Sequence, residues 1–231
     1  MPTLAVITHV YNSLDLILGH LDRWLSIPKD LRRFLEFIVV DDYSDIPIQL
    51  PVADLNLRVI RVDEDIPWNQ PGCRNLAAVL ARARWLYLFD ADNSLLPDDY
   101  SRMLGALRAA DPECLYVFAR QQAGKPLDPH LNCFVIEREA FFRLGPYDED
   151  FCGNYGFDDV MFRNRWRKCG GKERLITDLQ LTQLASSTTS LDRNLVPNQK
   201  LLVSKLINGL QQPSSMVRFR WHLAQSFSQT N

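Results

Sequence analysis

The stretch Phe89-Asp90-Ala91-Asp92-Asn93 follows the apolar run Tyr87-Leu88 and sets two carboxylates two residues apart. In an extended strand, residues i and i+2 share one side, so Asp90 and Asp92 reach the strand's end facing the same space. Hard cations such as Mg2+ or Mn2+ take oxygen ligands of this kind, commonly one or two carboxylates completed by substrate phosphates. A lone DxD is a weak signal, because aspartates also favour turns. Its setting here is more specific. A second acidic cluster, Asp41-Asp42-Tyr43-Ser44, ends another apolar run, and a carboxylate there can accept the N3–H of a uracil or bind a ribose hydroxyl. Gln70-Pro71-Gly72-Cys73-Arg74-Asn75 offers Arg74 to a diphosphate or to an acidic strand end, and Gly72 would let a ligand approach the backbone. Asn154-Tyr155-Gly156-Phe157-Asp158-Asp159 places two acids at a helix start, where one can be aimed at a hydroxyl as a general base. Each stretch also has a plain reading: a turn, a structural salt bridge, or a complement to the helix dipole.

The elements that position these groups follow from hydrophobic spacing. Short apolar runs at Leu4–Thr8, Phe34–Val40, Leu57–Val62 and Trp85–Phe89 read as strands. Between and after them, Leu14–Ser26, Pro71–Ala83 and Pro97–Ala110 read as helices. The order predicts an α/β fold with an open, mostly parallel sheet, whose ligands bind beyond the carboxyl ends of the strands. Those ends are Thr8–Asn12, Asp41–Ser44 and Asp90–Asn93, all polar. In the second half, Leu115–Ala119 and Asn132–Ile136 read as strands. Glu137–Leu144, Asp158–Lys168 and Gln199–Leu210 read as helices. Met216–Trp221 reads as part of a terminal helix, and Thr182–Asn198 as a loop able to order over a bound substrate.

Composition narrows the function. The 231 residues carry 26 basic and 28 acidic side chains, a net charge of −2, which gives no nucleic-acid footprint. No apolar run approaches the ~18 residues of a membrane span, and Leu4–Ile7 is too short and lacks the basic flank of a signal peptide. Five widely spaced cysteines without a CxxC argue against a zinc site or a disulfide framework. A cytoplasmic setting is expected, with contact at the inner membrane surface at most peripheral.

The four motifs in order, VDDYS (40–44), PGCRN (71–75), FDADN (89–93) and GFDDV (156–160), resemble the GT-A glycosyltransferases, most closely the family-2-like inverting enzymes. LGPYDEDFCGNYGFDDVMFRNRWR (144–167) is the strongest single stretch, and the likeness covers roughly residues 4–170. The resemblance implies a GT-A, Rossmann-like open mixed sheet flanked by helices. Its catalytic domain would span 1–181, with a nucleotide-binding half (1–110) and an acceptor half (111–181), followed by a C-terminal loop and helical extension (182–231). It implies a metal-dependent enzyme that moves a sugar from a nucleotide-diphosphate sugar, a UDP-sugar, to a hydroxyl of a glycan or lipid-linked acceptor with inversion. Thr8, Tyr11, Asp41, Asp42, Arg74, Asp90 and Ala91 would hold the donor. Asp92 would hold Mn2+ or Mg2+, with Asp90 beside it and His222 as the downstream histidine that many relatives supply. Asp159 falls on the catalytic base, and Asp158 replaces the family's glutamate. His9, His20 and His130 are left to packing or surface roles. The alternatives are a haloacid-dehalogenase-like phosphatase, a sugar nucleotidyltransferase, and a non-catalytic module that binds nucleotide or glycan on the same fold. FDADNS resembles the phosphatases' nucleophile strand, which usually comes first in the fold.

Overall fold

β1 (Leu4–Val10) is buried along nearly its whole length, as a strand covered on both faces must be. The computed structural model describes residues 2–184, 191–209 and 215–229. After β1 come α1 (Leu14–Leu25), the single turn α2 (Lys29–Arg32), β2 (Leu35–Asp41), β3 (Leu57–Val62), α3 (Gln70–Leu80) and β4 (Trp85–Leu88). Then follow β5 (Asn93–Ser94), α4 (Asp99–Leu107), β6 (Cys114–Gln122), β7 (Lys125–Leu127), β8 (Phe134–Glu137) and α5 (Arg138–Leu144). A 3-10 turn (Glu149–Phe151), α6 (Asp158–Lys168), β9 (Lys172–Gln183), α7 (Val196–Ile207) and β10 (Trp221–Phe227) complete the described chain.

All these strands join one mixed sheet, in the order β10-β3-β2-β1-β4-β8-β6-β9-β5, with β7 on β6. β3, β2, β1 and β4 run parallel. β8 runs antiparallel to β4 and β6. Strand alternation splits the core in two. Leu4 and Val6 face the layer of Ile17, Leu21 and Trp24 from α1 and Met103 from α4. Ala5 and Ile7 face the layer of Leu76, Ala77 and Ala78 from α3, Phe141 from α5, and Phe162 and Trp166 from α6. The small residues of α3 let that helix lie close over the middle of the sheet, directly above the strand ends.

Two parts of the second half differ from the sequence expectation. Lys172–Gln183 is a twelve-residue strand, although few of its residues are buried and its start is charged. It pairs in parallel with β6, and its far end takes Asn93 and Ser94 as antiparallel partners. The terminal helix expected at Met216–Trp221 does not form; that segment is irregular and leads into β10, zipped antiparallel onto β3 as the edge strand. Backbone hydrogen bonds to β3 outweigh the weak local preference of Trp221–Phe227. The C-terminal helix begins at Val196 and ends at Ile207, and Leu210 lies outside the described residues. So does 185–190, the middle of the loop expected to order over substrate. No helix among the described residues is long and apolar enough to cross a membrane.

Candidate active site

The DxD segment is held by its backbone. Leu88 ends β4, and the amide of Asn93 turns back to the carbonyl of Asp90 at 2.8 Å. His20 of α1 sits 2.7 Å, through Nε2, from the carbonyl of Ala91. On the other side, Leu184 donates its amide to the carbonyl of Asp92 at 2.6 Å. Ala91, expected to touch the donor, thus has its carbonyl engaged inside the protein. His20 and β9 are the positioning elements that sequence reasoning missed. His20 is buried and stacks on Trp24. Burial pulls its imidazole down to about 4 and keeps it neutral.

Arg74 is the electrostatic centre. It lies in the first turns of α3, its side chain 2% exposed, with Nη2 2.5 Å from Asp90 Oδ1 and Nη1 2.8 Å from the carbonyl of Asn132. Burial alone would raise the Asp90 carboxyl, but Arg74, His130 and His9 hold it below the usual range. Asp92 has no such partner. Among the described residues its Oδ1 accepts only the Asn93 side-chain amide at 2.8 Å, and burial followed by Asp90 pushes its carboxyl up. His130, on the loop before β8, places Nδ1 3.5 Å from Asp90 Oδ2 and accepts the Asn132 amide at 3.2 Å. It acts electrostatically on Asp92 and Asp159 as well. His130 therefore belongs to the site, and only the folding of a distant loop reveals it.

His9, expected in a packing role, stands behind the pair. It is half-buried, its Nδ1 is shut off from solvent and finds no hydrogen-bond partner among the described residues, and burial followed by Arg74 lowers it to about 4. Its linkage has a definite sign. The unfolded chain binds a proton near pH 6.5 that the folded chain refuses until about pH 4, so this histidine's contribution is present above pH 6.5 and lost as pH falls through that window. The loss reaches about 3 kcal/mol at the acid end. His20 adds in the same direction, whereas Asp42, pushed up to about 6, works the opposite way. Melting temperatures measured between pH 7 and pH 4 are therefore expected to decline less steeply in His9→Leu than in the parent protein. Equal slopes would contradict a neutral His9.

The acidic pair at the end of β2 divides. Asp41 accepts the amides of Ser44 (2.9 Å) and Ile48 (3.0 Å), and its Oδ2 lies 2.5 Å from Arg61 Nη1. Both its oxygens are occupied inside the fold, so the donor-binding expectation passes to Asp42. That carboxyl is 7% exposed, accepts the Asn69 amide at 3.2 Å, and is pushed up to about 6 by burial. Gly72 leaves room for protein rather than ligand. A Cβ there would stand 2.3 Å from Asn69 Oδ1 and 2.5 Å from Phe219. Thr8 is buried in β1, while half-buried Tyr11 has its hydroxyl raised by burial and by Asp45, Asp65 and Asp42.

Asp158 and Asp159 open α6. The chain enters through two left-handed residues, Gly156 (φ 85°) and Phe157 (φ 67°), the second costing strain for a non-glycine residue. Gln70 of α3 donates to Asp158 Oδ2 at 3.3 Å. Burial, followed by its neighbour's charge, raises Asp158. Asp159 is raised by burial, opposed by the Val160 amide, with Asp90 adding to the rise. A carboxylate raised in this way is a better proton acceptor than an exposed one.

His222 does not join this group. It lies on the edge strand β10, four strands from β4, with Nδ1 2.6 Å from Asp63 Oδ1. As a metal ligand for Asp92 it is misplaced, because β10 carries it to the far edge of the sheet.

A family model described as "Glycosyl transferase family 2" matches residues 5–170. The chain belongs to glycosyl transferase family 2. Among solved structures, the S. aureus TarS 1–349 complex with UDP-GlcNAc superposes with a TM-score of 0.66 at 14% identity, covering 90% of this chain and 67% of that one. S. aureus TarS 1–349 alone gives 0.61 at 14% identity over 79% and 60%. GalNAc-T7 with UDP, GalNAc and Mn2+ gives 0.62 at 15% identity over 88% and 48%. The chain spans 48% to 67% of the lengths of these solved chains. None of the curated proteins matches it significantly.

Family-2 membership and the mixed GT-A sheet remove the phosphatase alternative. The FDADN strand is the fourth along this chain and lies in the middle of the sheet, behind a complete β1-to-α3 unit. Among the described residues no three metal-ligating side chains gather in one place. What this candidate site offers a cation is a half-buried carboxylate, Asp92, whose only side-chain partner among the described residues is the neighbouring Asn93 amide, with Asp90 beside it. That donor set fits a hard divalent ion that draws its remaining ligands from phosphates and water.

Proposed function

We propose that this chain is a UDP-sugar-dependent inverting glycosyltransferase. The observation that carries the reading is Asp90, held at the carboxyl edge of the parallel strands 2.5 Å from Arg74 and 3.5 Å from His130, with Asp92 and Asp159 within its electrostatic reach. The nucleotide lies across the ends of β1 and β2, where Asp42 and Tyr11 meet the uridine. Support for uridine comes from the relatives of the same fold, solved with UDP-GlcNAc and with UDP and Mn2+. Asp92, with Asp90, would hold Mn2+ or Mg2+, which when bound neutralises the diphosphate as a Lewis acid. Arg74 fixes Asp90 by a buried ion pair and so keeps it ionised.

The acceptor is a hydroxyl of a glycan or lipid-linked molecule. Asp159 takes its proton as the oxygen attacks the anomeric carbon. The bond from that carbon to the diphosphate breaks on the opposite face, and its electron pair leaves with the diphosphate oxygen. One displacement inverts the anomeric configuration. Titration calorimetry with UDP, GDP and CDP, each with and without Mn2+, tests the reading, and UDP with Mn2+ is the combination expected to bind.

A further inference from the structure

The loop that delivers Asp158 and Asp159 is gripped by the C-terminal part of the chain, which the sequence had set aside as an extension. Three consecutive acids precede that loop, and each meets a partner from beyond residue 200. Lys205 Nζ lies 2.9 Å from Asp148 and 2.8 Å from Asp150. The Val217 and Arg218 amides donate to Glu149 at 2.7 and 3.1 Å. Arg218 Nη1 lies 2.8 Å from Asp150.

Underneath sits Asn198 of α7, 1% exposed. Its Nδ2 donates its two hydrogens, one of them shared, to the carbonyls of Phe151 (2.9 Å), Asn154 (2.8 Å) and Gly156 (2.9 Å). The three acceptors settle the amide's orientation, since Oδ1 in that place would repel all of them. Three carbonyl dipoles aimed at one buried point repel each other unless a donor stands there, and an unmet buried acceptor is costly. The curl of residues 151–156 around a single side chain therefore depends on this amide. Leu195 closes the loop from outside. A Cβ on Gly156 would stand 2.6 Å from its Cδ2. The left-handed pair Gly156-Phe157 follows at once and sets the direction in which α6 presents its first-turn acids.

We propose that Asn198 is a positioning residue for sugar transfer, and that α7 with residues 217–218 is a clamp that aims the base. The proposal rests on Asp159 being that base. Misplacement of a reacting group by about 1 Å lowers rates by about 10²-fold, so a loosened loop would show in turnover before it showed in donor binding.

The test uses the full chain with three substitutions beside the parent. Asn198→Ala removes the donor, Asn198→Ser keeps one hydroxyl donor should the alanine variant fold poorly, and Leu55→Val destabilises the buried entry to β3, at the end of that strand away from residues 217–218. Hydrogen exchange is read by peptide, UDP affinity by calorimetry with Mn2+, and turnover as UDP released from UDP-N-acetylglucosamine and UDP-galactose with water as acceptor. The expected result for both Asn198 variants is exchange over 151–157 faster by about tenfold, UDP release slower by about tenfold or more, and unchanged UDP affinity. Unchanged exchange over 151–157 overturns the proposal. So does a fall in turnover no greater than that of Leu55→Val at an equal loss of melting temperature. Undiminished UDP release by Asp159→Asn would instead sink the base assignment, while the exchange readout still decides the clamp, even if the parent chain releases no UDP.

Discussion

Asp159→Asn is expected to lower sugar transfer by about 10² to 10⁴-fold, the usual share of a general base, with UDP binding in Mn2+ nearly unchanged. The substitution keeps size and shape at the start of α6 and retains an acceptor for the Val160 amide, which meets Asp159 Oδ1 at 2.7 Å. What it removes is proton affinity. Burial and Asp90 raise that affinity, and a carboxamide has none in the accessible range. The neighbouring Asp158 gives the contrast. It is buried and tied to Gln70, so Asp158→Asn should act mainly on the placement of α6 and α3. Steady-state rates with a fixed donor and a varied acceptor check both variants, and normal turnover by Asp159→Asn would move the base elsewhere.

Arg74→Ala is expected to be the most damaging single change to stability, at about 3–5 kcal/mol, the cost of leaving one member of a buried ion pair uncompensated. Asp90 would lose the counterion that holds its carboxyl down. The carbonyl of Asn132 would lose the donor 2.8 Å away, and Tyr147 the cation set over its ring. With Arg74 gone, Asp90 would follow its burial and protonate at a higher pH. The loss of nucleotide binding in Arg74→Ala should therefore be relieved in part as pH rises, whereas the parent protein, with Asp90 already ionised, should show no such relief. Denaturant melts together with nucleotide titrations at several pH values check this. A stable Arg74→Ala protein would contradict the buried pair.

The first half of the fold, and α6 in the second, were legible because their signals are local. Leu57–Val62 and Asp158–Lys168 have the same limits in the structure as in the hydrophobic and charge pattern. α3 stops at Leu80, three residues short of the expected end, because Ala81 turns extended to lead into β4. Long-range pairing hid the rest. β9 starts with charged residues, buries few of its side chains, and becomes a strand only because β6 offers it an edge. β10 is a strand because β3 does.

The same division runs through the site. Asp90, Asp92, Arg74 and the Asp158-Asp159 pair were visible from residue type and position at the ends of recognisable elements. Asp41 and Asp42 are adjacent and chemically identical, and only the fold tells which oxygens Arg61 and the Ser44 and Ile48 amides occupy. His130, His20 and Asn198 carry no motif. Their partners lie 40, 71 and 42 to 47 residues away in the chain, at Asp90, at Ala91, and at Phe151 to Gly156. His222 entered the metal site only through the resemblance, as the downstream histidine, and the sheet order moves it away.

The most direct test is calorimetric titration of UDP into the parent protein and into Asp92→Ala, with Mn2+ present and absent. A UDP-sugar transferase built on these strand ends should bind UDP tightly with Mn2+, weakly without it, and weakly in Asp92→Ala whether or not Mn2+ is added. Equal binding by Asp92→Ala and the parent, or no UDP binding under any cation, would contradict a metal–diphosphate site at Asp90 and Asp92.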